Sequence, residues 1–342
     1  MAHPIESSTD EPSPRPRVVV VGPVNMDLFI RGEAPLDREQ LNRWVGSPEV
    51  DLLVAGSIGY TLQVFARLDD DVVACAAVGS DAFGGHIRQA LEAAGVNCER
   101  VVNATGETAI GIYMMLFGGF KRPLAIRLPG FEPWPDPPPL FEPGDPVPSL
   151  VHSGGLLHFP GMWHRGLAPA LGRARAAGAM TSIDPQFPLV DKPAPWLPFA
   201  DDAIRQSDVL LCDDLEAAML FKTASLAGQI RSAHAAGSRI VAIKRGPHGV
   251  TVSDGRSSVE QPAVAIDPSR IHEAVGAGDA FDAGFLDAMV RGHDPATTAR
   301  WGTAAASLTL TERGGAAGIL DRGHVERQLA LVPPARAPEP VG

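Results

Sequence analysis

His272-Glu-Ala-Val-Gly-Ala-Gly-Asp-Ala-Phe-Asp-Ala-Gly-Phe285 is the stretch of this 342-residue chain from which the rest can be read. Gly276-Ala277-Gly278 is a run of small residues leading straight into an apolar-periodic helix predicted over 279–291. Small side chains let an anion come close to the backbone. The first N–H groups of a helix point at one place, with the positive end of the helix dipole behind them. Asp279 stands in the first turn, where a carboxylate could take a proton from an attacking hydroxyl while the amides hold a transferring phosphoryl group. On these residues alone, a glycine turn with Asp279 as an ordinary helix cap reads equally well.

Upstream, the pattern alternates. Arg17–Val21 is a β-branched run ending at Gly22, as a buried parallel strand ends. Helical segments at 56–68, 166–177, 197–206, 214–221 and 227–236 fall between short apolar runs at 72–78, 156–159, 180–183, 209–211 and 240–243. That order predicts βαβ units, hence a mostly parallel sheet with helices on both faces. Ligands in such sheets bind beyond the carboxyl ends of the strands. Gly22-Pro-Val-Asn25-Met-Asp27 follows the first strand at that end, so Asn25 and Asp27 are candidate substrate ligands, with an Asx-stabilised turn as the plain alternative. Ala55-Gly56-Ser57-Ile58-Gly59-Tyr60 opens a helix with small residues, another place for close approach. Asp184, at the end of a predicted strand, either faces the same cleft or begins a turn before Pro185. No GxGxxG follows the first strand, which argues against a Rossmann dinucleotide site, and no GxxxxGK[ST] occurs, which excludes a P-loop.

Composition removes other classes. With 29 Lys+Arg against 40 Asp+Glu and a net charge of −11, the chain is unsuited to nucleic acid or an anionic membrane surface. No apolar run is long enough to span a bilayer. The three cysteines (Cys75, Cys98 and Cys212) are widely spaced and form no CxxC, as expected for reduced thiols in a cytoplasmic protein. Residues 1–16 and 332–342, rich in proline, are expected to be a disordered lead-in and a loose tail around one domain at 17–331. Eight prolines in residues 133–148 rule out helix or central strand and predict a long surface loop. His152, His158 and His164 are expected to be structural rather than metal ligands, and Asp282 and Asp287 to be surface charges of the helix.

In this order the motifs resemble those of the PfkB carbohydrate kinase family, with its ribokinase-like fold, over nearly everything from Val18 to about Gly315. The family signature DTTGAGDAF stands here as Glu273-Ala-Val-Gly-Ala-Gly-Asp-Ala-Phe281. The resemblance implies that Asp279 is the catalytic base and that the amides of Gly276, Ala277 and Gly278 form an anion hole. G-x-x-N-x-D appears as Gly22, Asn25 and Asp27, making Asp27 the expected ligand of substrate hydroxyls, and Val78–Gly84 matches VGxDxFG. Val241–Gly249 resembles the strand and glycine loop flanking the nucleotide, which implies nucleotide contacts from Lys244, Gly246 and Gly249. Gly56, Ser57 and Tyr60 occupy the substrate motif, with Tyr60 where the family has Asn. Asp213 and Glu216 stand for NxxE and are expected to serve ATP and Mg²⁺, directly or through water. At Glu273-Ala274-Val275 the chain departs from the family, so no monovalent-cation dependence is carried over.

The resemblance thus implies a three-layer αβα sandwich with a mostly parallel central sheet and a small β-sheet lid, its pieces near 28–54 and 108–130. The activity implied is ATP-dependent phosphorylation of a hydroxymethyl group on a sugar or sugar derivative, with a homodimer through the lid as the family's usual assembly. Two alternatives stay open at this point. One is a nucleoside kinase, for which Tyr60, Tyr113, Phe117 and Phe120 could stack on a base; the other is a non-catalytic binding protein on the same fold.

Overall fold

The computed structural model describes residues 15–31, 37–39, 49–115, 124–128, 140–188, 192–272, 274–311, 314–336 and 339–340. The disordered lead-in expected at 1–16 lies outside these residues apart from its last two, as do parts of both lid segments and the first half of the proline-rich loop. The chain begins with β1 (Arg17–Val21), β2 (Val24–Arg31), β3 (Glu49–Gly56), α1 (Gly59–Arg67), β4 (Asp71–Gly79), α2 (Ala82–Ala93), β5 (Asn97–Ala104), β6 (Ile110–Met115) and β7 (Leu124–Leu128). It continues through β8 (Leu150–Gly154), α3 (Ala168–Ala176), β9 (Met180–Asp184), α4 (Leu197–Arg205), β10 (Val209–Asp213), α5 (Asp214–Phe221), α6 (Leu226–Ala236) and β11 (Ile240–Lys244). The last elements are β12 (Val250–Ser253), β13 (Ser257–Gln261), α7 (Ala277–Val290), α8 (Pro295–Leu310), α9 (Arg322–Gln328) and β14 (Glu339–Pro340).

Ten strands form one sheet in the order β14-β13-β12-β11-β10-β9-β8-β1-β4-β5. From β11 to β5 every pairing is parallel; β12, β13 and β14 close one edge antiparallel. Side chains alternate across such a sheet, and the Val18–Val21 run feeds two separate cores. Val18 and Val20 pack with Phe65 of α1, Phe285 of α7 and Trp301 of α8. Val19 and Val21 pack with Leu171 of α3, Ile204 of α4, Leu220 of α5 and Ile230 of α6. This is the expected αβα sandwich, with buried apolar side chains on both faces of the sheet.

A second sheet of four strands, β3-β2-β6-β7, is the lid. It begins earlier than the sequence suggests. Gly22-Pro23 interrupts the extended chain, so Asn25 and Asp27 lie on lid strand β2 rather than in the turn after β1. Asp81 of the VGxDxFG motif ties the lid to the main body. It caps α2 by accepting from Gly84 N at 2.8 Å, and it accepts from the Thr108 backbone N–H and hydroxyl at 2.7 Å each. The proline-rich segment is held where described: Leu140 is buried and Asp145 pairs with Arg100 at 2.5 Å. The tail expected to be loose is instead attached to the sheet edge. Val332 is buried, Arg336 N donates to Glu260 O at 2.8 Å, and β14 pairs with β13.

Asp287 corrects another expectation. It has no exposed surface and lies at the far end of α7, accepting from Arg291 Nε at 2.8 Å and from Arg322 Nη2. Arg291 also donates to the buried Asp70 at 2.9 Å. The network joins α7, α9 and the turn before β4. Removing the shared carboxylate takes an acceptor from both guanidiniums, although Arg291 keeps Asp70, so Asp287→Ala is expected to cost about 3 kcal/mol. That is the low end for a buried pair, because both arginines reach solvent. Urea unfolding should show the midpoint falling by about 1 M, and an unchanged midpoint would mean the network adds nothing.

Candidate active site

Asp81 caps α2, Ser225 caps α6 and Asp294 caps α8, whereas α1, α3, α4 and α7 begin without a side-chain cap. Among these uncapped starts α7 alone opens on a left-handed glycine. Its cap residue, Gly276, makes no side-chain hydrogen bond and adopts φ of 82°, a left-handed conformation that favours glycine. Tyr60 packs against this turn: a Cβ added to Gly276 would meet its ring at 3.2 Å. The turn is therefore held from below by an aromatic ring, and its Ala277 N–H donates to the Ala274 carbonyl at 3.3 Å.

Asp279, in the first turn of α7, accepts from Thr61 Oγ1 of α1 at 3.5 Å. Its carboxyl is pushed up to about 7, chiefly by burial and then by the negative Asp184, with Lys244 and Thr61 opposing. A group with that value exchanges protons near neutrality, as a general base must.

The carboxyl ends of β9, β10 and β11 deliver the neighbouring charges. Asp213 and Lys244 are register partners at the ends of β10 and β11, and Asp184 ends β9. Lys244 was expected to contact the nucleotide; its ammonium is held at the start of α7 and not in the glycine loop after β11. Nζ donates to Asp184 Oδ2 at 2.8 Å and to both oxygens of Asp282, and it lies 3.7 Å from where a Cβ on Gly278 would be. Against burial, which lowers it, Asp184 and Asp282 raise the ammonium well above its ordinary value, so it stays charged. Asp282 is thus a buried ion-pair partner and not a surface charge of the helix.

Gly246 and Gly249 have a structural reason of their own. They flank the turn after β11, both at positive φ, and a Cβ on Gly249 would lie 2.0 Å from the Gln261 carbonyl oxygen. The same loop lines a cavity of about 300 Å³ with Glu260, Gln261 and Arg336. That cavity shares no residue with the cluster around Asp279, so it is not where an acceptor would meet this base.

Asp213 and Glu216 form a complete capping box on α5. Glu216 N donates to Asp213 Oδ1 at 2.6 Å, and Asp213 N to Glu216 Oε2 at 2.7 Å. Burial, with Asp184 and Asp213 nearby, raises Glu216 well above the usual carboxylate range. Asp184, Asp213, Glu216, Asp279 and Asp282 thus surround a single ammonium, Lys244, in this cluster. Among the described residues no group of three or more His, Cys, Asp or Glu side chains is arranged to hold a metal by itself. Mg²⁺ keeps waters and takes phosphate oxygens with one or two carboxylates. An excess of oxygen donors over cations fits that ion.

On the lid side, Asp27 is buried on β2 and accepts from Asn25 Nδ2 at 2.6 Å. Its register partner is Gly111 on β6, where a Cβ would lie 2.3 Å from Asp27 Oδ1. Gly56 ends β3 against the Asn25 amide. Ser57 was expected to meet substrate, but its hydroxyl is bonded to His158 Nδ1 at 2.7 Å, and its carbonyl accepts from Gln186 Nε2 at 3.4 Å. Tyr60, also expected at the substrate, is buried against the turn of α7 and against Gly315. Thr61, one residue on, presents the polar group at Asp279. His152 is structural as expected, bonded to Ser182 at 2.9 Å, with burial lowering it to about 4. Reading the sequence alone missed Thr61, Gly111 and Asp282. Only Asp282 carried a signal, at three residues past Asp279 on the same helix face.

The family model described as pfkB family carbohydrate kinase matches residues 15–322. A ribokinase of Bacillus subtilis is 30% identical over 144 residues, covering 42% of this chain and 47% of that protein. The ATP-dependent ribose-1-phosphate kinase of Halopiger xanaduensis is 26% identical over 309 residues, covering 87% of this chain and 93% of that protein. The chain thus spans about half the length of some curated relatives, the Bacillus protein among them, and nearly all of others. The Arabidopsis thaliana ribokinase structure with ribose and ATP shares the fold at a TM-score of 0.73 and 22% identity, over 92% of this chain and 99% of that one.

Proposed function

The chain belongs to the pfkB family of carbohydrate kinases, and from that premise we propose that it transfers the γ-phosphoryl group of ATP to a hydroxymethyl group of a sugar or sugar derivative. The observation that carries the reading is the start of α7. Amides without a side-chain cap, a carboxyl with a value near 7 and a fixed ammonium beside Gly278 meet at one turn.

Asp279 takes the proton of the acceptor hydroxyl as its oxygen attacks the γ-phosphorus. The bond from that phosphorus to the β–γ bridging oxygen breaks, and ADP leaves. The amides of Gly276, Ala277 and Gly278 hold the equatorial oxygens, with Lys244 as the nearest cation. Asn25 and Asp27 orient the acceptor from the lid, and Gly56 leaves room beside them. Asp213 and Glu216 would hold Mg²⁺, directly or through water, and the ion would offset phosphate charge. Lid closure over the acceptor keeps water from competing for the phosphoryl group. Ser57 and Tyr60 act indirectly, by fixing His158 and the α7 turn, and Gly246 and Gly249 shape the loop after Lys244.

A sugar acceptor is favoured over a nucleoside because two of the aromatic residues that could stack on a base are committed elsewhere. Tyr113 stacks on Phe29 at 4.8 Å and Tyr60 lies under Gly276. Phe117 and Phe120 lie outside the described residues. The three cysteines are buried and unbridged, which suits a reducing cytoplasm, and no described helix is long and apolar enough to cross a membrane. The lid edge, with Val50 and Leu52 exposed on β3, is the proposed face of a homodimer.

ADP release with Mg²⁺-ATP, measured across hexoses, pentoses, keto-sugar acids and nucleosides, tests the proposal. Turnover is expected on one sugar class. Binding of a sugar with no ATP turnover on any acceptor would overturn it in favour of a non-catalytic protein on this fold.

A further inference from the structure

Asp282 stands three residues, close to one helical turn, beyond Asp279, and only 2% of its side chain is exposed. An isolated carboxylate buried so deeply would be strongly unfavourable. Lys244, arriving from the end of β11, neutralises it: Nζ donates to Asp282 Oδ1 at 2.9 Å and Oδ2 at 3.1 Å, and to Asp184 Oδ2 at 2.8 Å. An ammonium has three N–H donors. With carboxylates from α7 and from β9 both engaged, the long lysine side chain cannot swing, and its charge stays 3.7 Å from the Cβ position of Gly278. Burial raises Asp282 well above the usual carboxylate range, with Lys244 opposing, and Asp282 is hydrogen-bonded to Asp184, so the cluster carries little net charge and does not attract phosphate by charge alone. What it supplies is position.

We propose that Asp282 is a positioning residue: resting on the kinase reading above, it acts through Lys244 to hold the ammonium at the anion hole, and so gives the site its preference for a triphosphate over a diphosphate. Lys244 reaches the γ-phosphoryl group; Asp282 touches no substrate. Holding a flexible cation in advance removes the entropy cost of ordering it when the nucleotide arrives. Asp184 shares the task from the sheet side, but it also faces Asp213 and Glu216, so its removal would disturb several groups at once.

Dissociation constants for AMP-PNP and for ADP, both with Mg²⁺, would be measured on the full chain and on Lys244→Met, Asp282→Ala, Asp282→Asn and the double variant Lys244→Met/Asp282→Ala. Lys244→Met and Asp282→Ala are each expected to reduce the AMP-PNP preference about tenfold, with ADP binding changed less than about threefold. Asp282→Asn keeps an oxygen that accepts from the ammonium and should recover most of the preference. The double variant should match Lys244→Met alone, because Asp282 has no other route to the nucleotide.

Additive losses in the double variant would overturn the proposal, as would equal weakening of both nucleotides by Asp282→Ala with a lowered melting temperature. An Asp282→Asn as impaired as Asp282→Ala would replace positioning by charge. If Asp282→Ala does not fold, Asp282→Ser against Asp282→Asn makes the same comparison. An unaltered chain that binds neither nucleotide would be a different failure, removing the kinase reading itself.

Discussion

Asp279→Asn should lower kcat about 1,000-fold, within the range that a general base contributes, while ATP binding stays within about threefold because the amides of the α7 turn are untouched. An amide of nearly the same size cannot take the acceptor's proton, so the loss belongs to the chemical step. The pH profile gives the same group a second signature. Burial first, and the nearby Asp184 second, raise this carboxyl to about 7, with Lys244 opposing. The working form is the deprotonated one. Activity should therefore be full above about pH 8, half at about 7, and fall tenfold per unit below about 6. The residual rate of Asp279→Asn should show no such step. A variant retaining more than a tenth of the rate, or an unaltered enzyme with a flat profile between about pH 6 and 8, would falsify the assignment of Asp279 as base.

Why Asp279 was readable and its neighbours were not follows from how each is made. Gly276-Ala-Gly-Asp279 is contiguous, and its chemistry lies in the backbone of one turn, so four letters carry it. The valine run at Val18–Val21 is similarly local: β-branched residues buried on both faces announce a parallel strand. Asp282 looks like a surface charge by helix periodicity, because its partner Lys244 lies 38 residues away and is brought in by the sheet. Asp287 misleads in the same way, with Arg322 35 residues off and Asp70 on another element. Ser57 and His158 are 101 residues apart. Tyr60 sits at a motif position that suggests substrate contact, yet a phenol ring is large enough to fill the space beneath Gly276, and packing decides its place. Asp213 shows how two readings can share one residue. A capping box needs Asp and Glu three apart, and so does a motif that would serve Mg²⁺. The helix start explains one oxygen of each carboxylate; the other oxygen of each, beside Lys244, has a use of its own.

Asp27→Asn is expected to reduce kcat/KM for the preferred acceptor about 100-fold, mostly through KM, with the KM for ATP unchanged. Hydrogen bonds to a charged group contribute about 1.5–3 kcal/mol each, and about 1.4 kcal/mol is tenfold, so two weakened hydroxyl contacts reach that size. The asparagine keeps one accepting oxygen but replaces the other with a donor. It also turns that amide toward Asn25, whose Nδ2 now donates to Asp27 at 2.6 Å, so one of two NH₂ groups must move. Position matters as much as charge. Asp27 has room only because its partner across the lid is glycine: a Cβ on Gly111 would sit 2.3 Å from Oδ1. Gly111→Ala leaves every polar group in place yet pushes the carboxylate aside, so it should raise the acceptor KM in the same direction by a smaller factor, about tenfold. The pair of variants separates the lid from the base. Asp279→Asn acts on kcat, Asp27→Asn and Gly111→Ala on acceptor KM, and neither lid variant should shift the pH at which activity is half-maximal. An acceptor KM within twofold of the unaltered enzyme in Asp27→Asn would place the acceptor somewhere other than against β2. A half-maximal pH that moves with Gly111→Ala would mean that the lid tunes the base instead of holding the sugar.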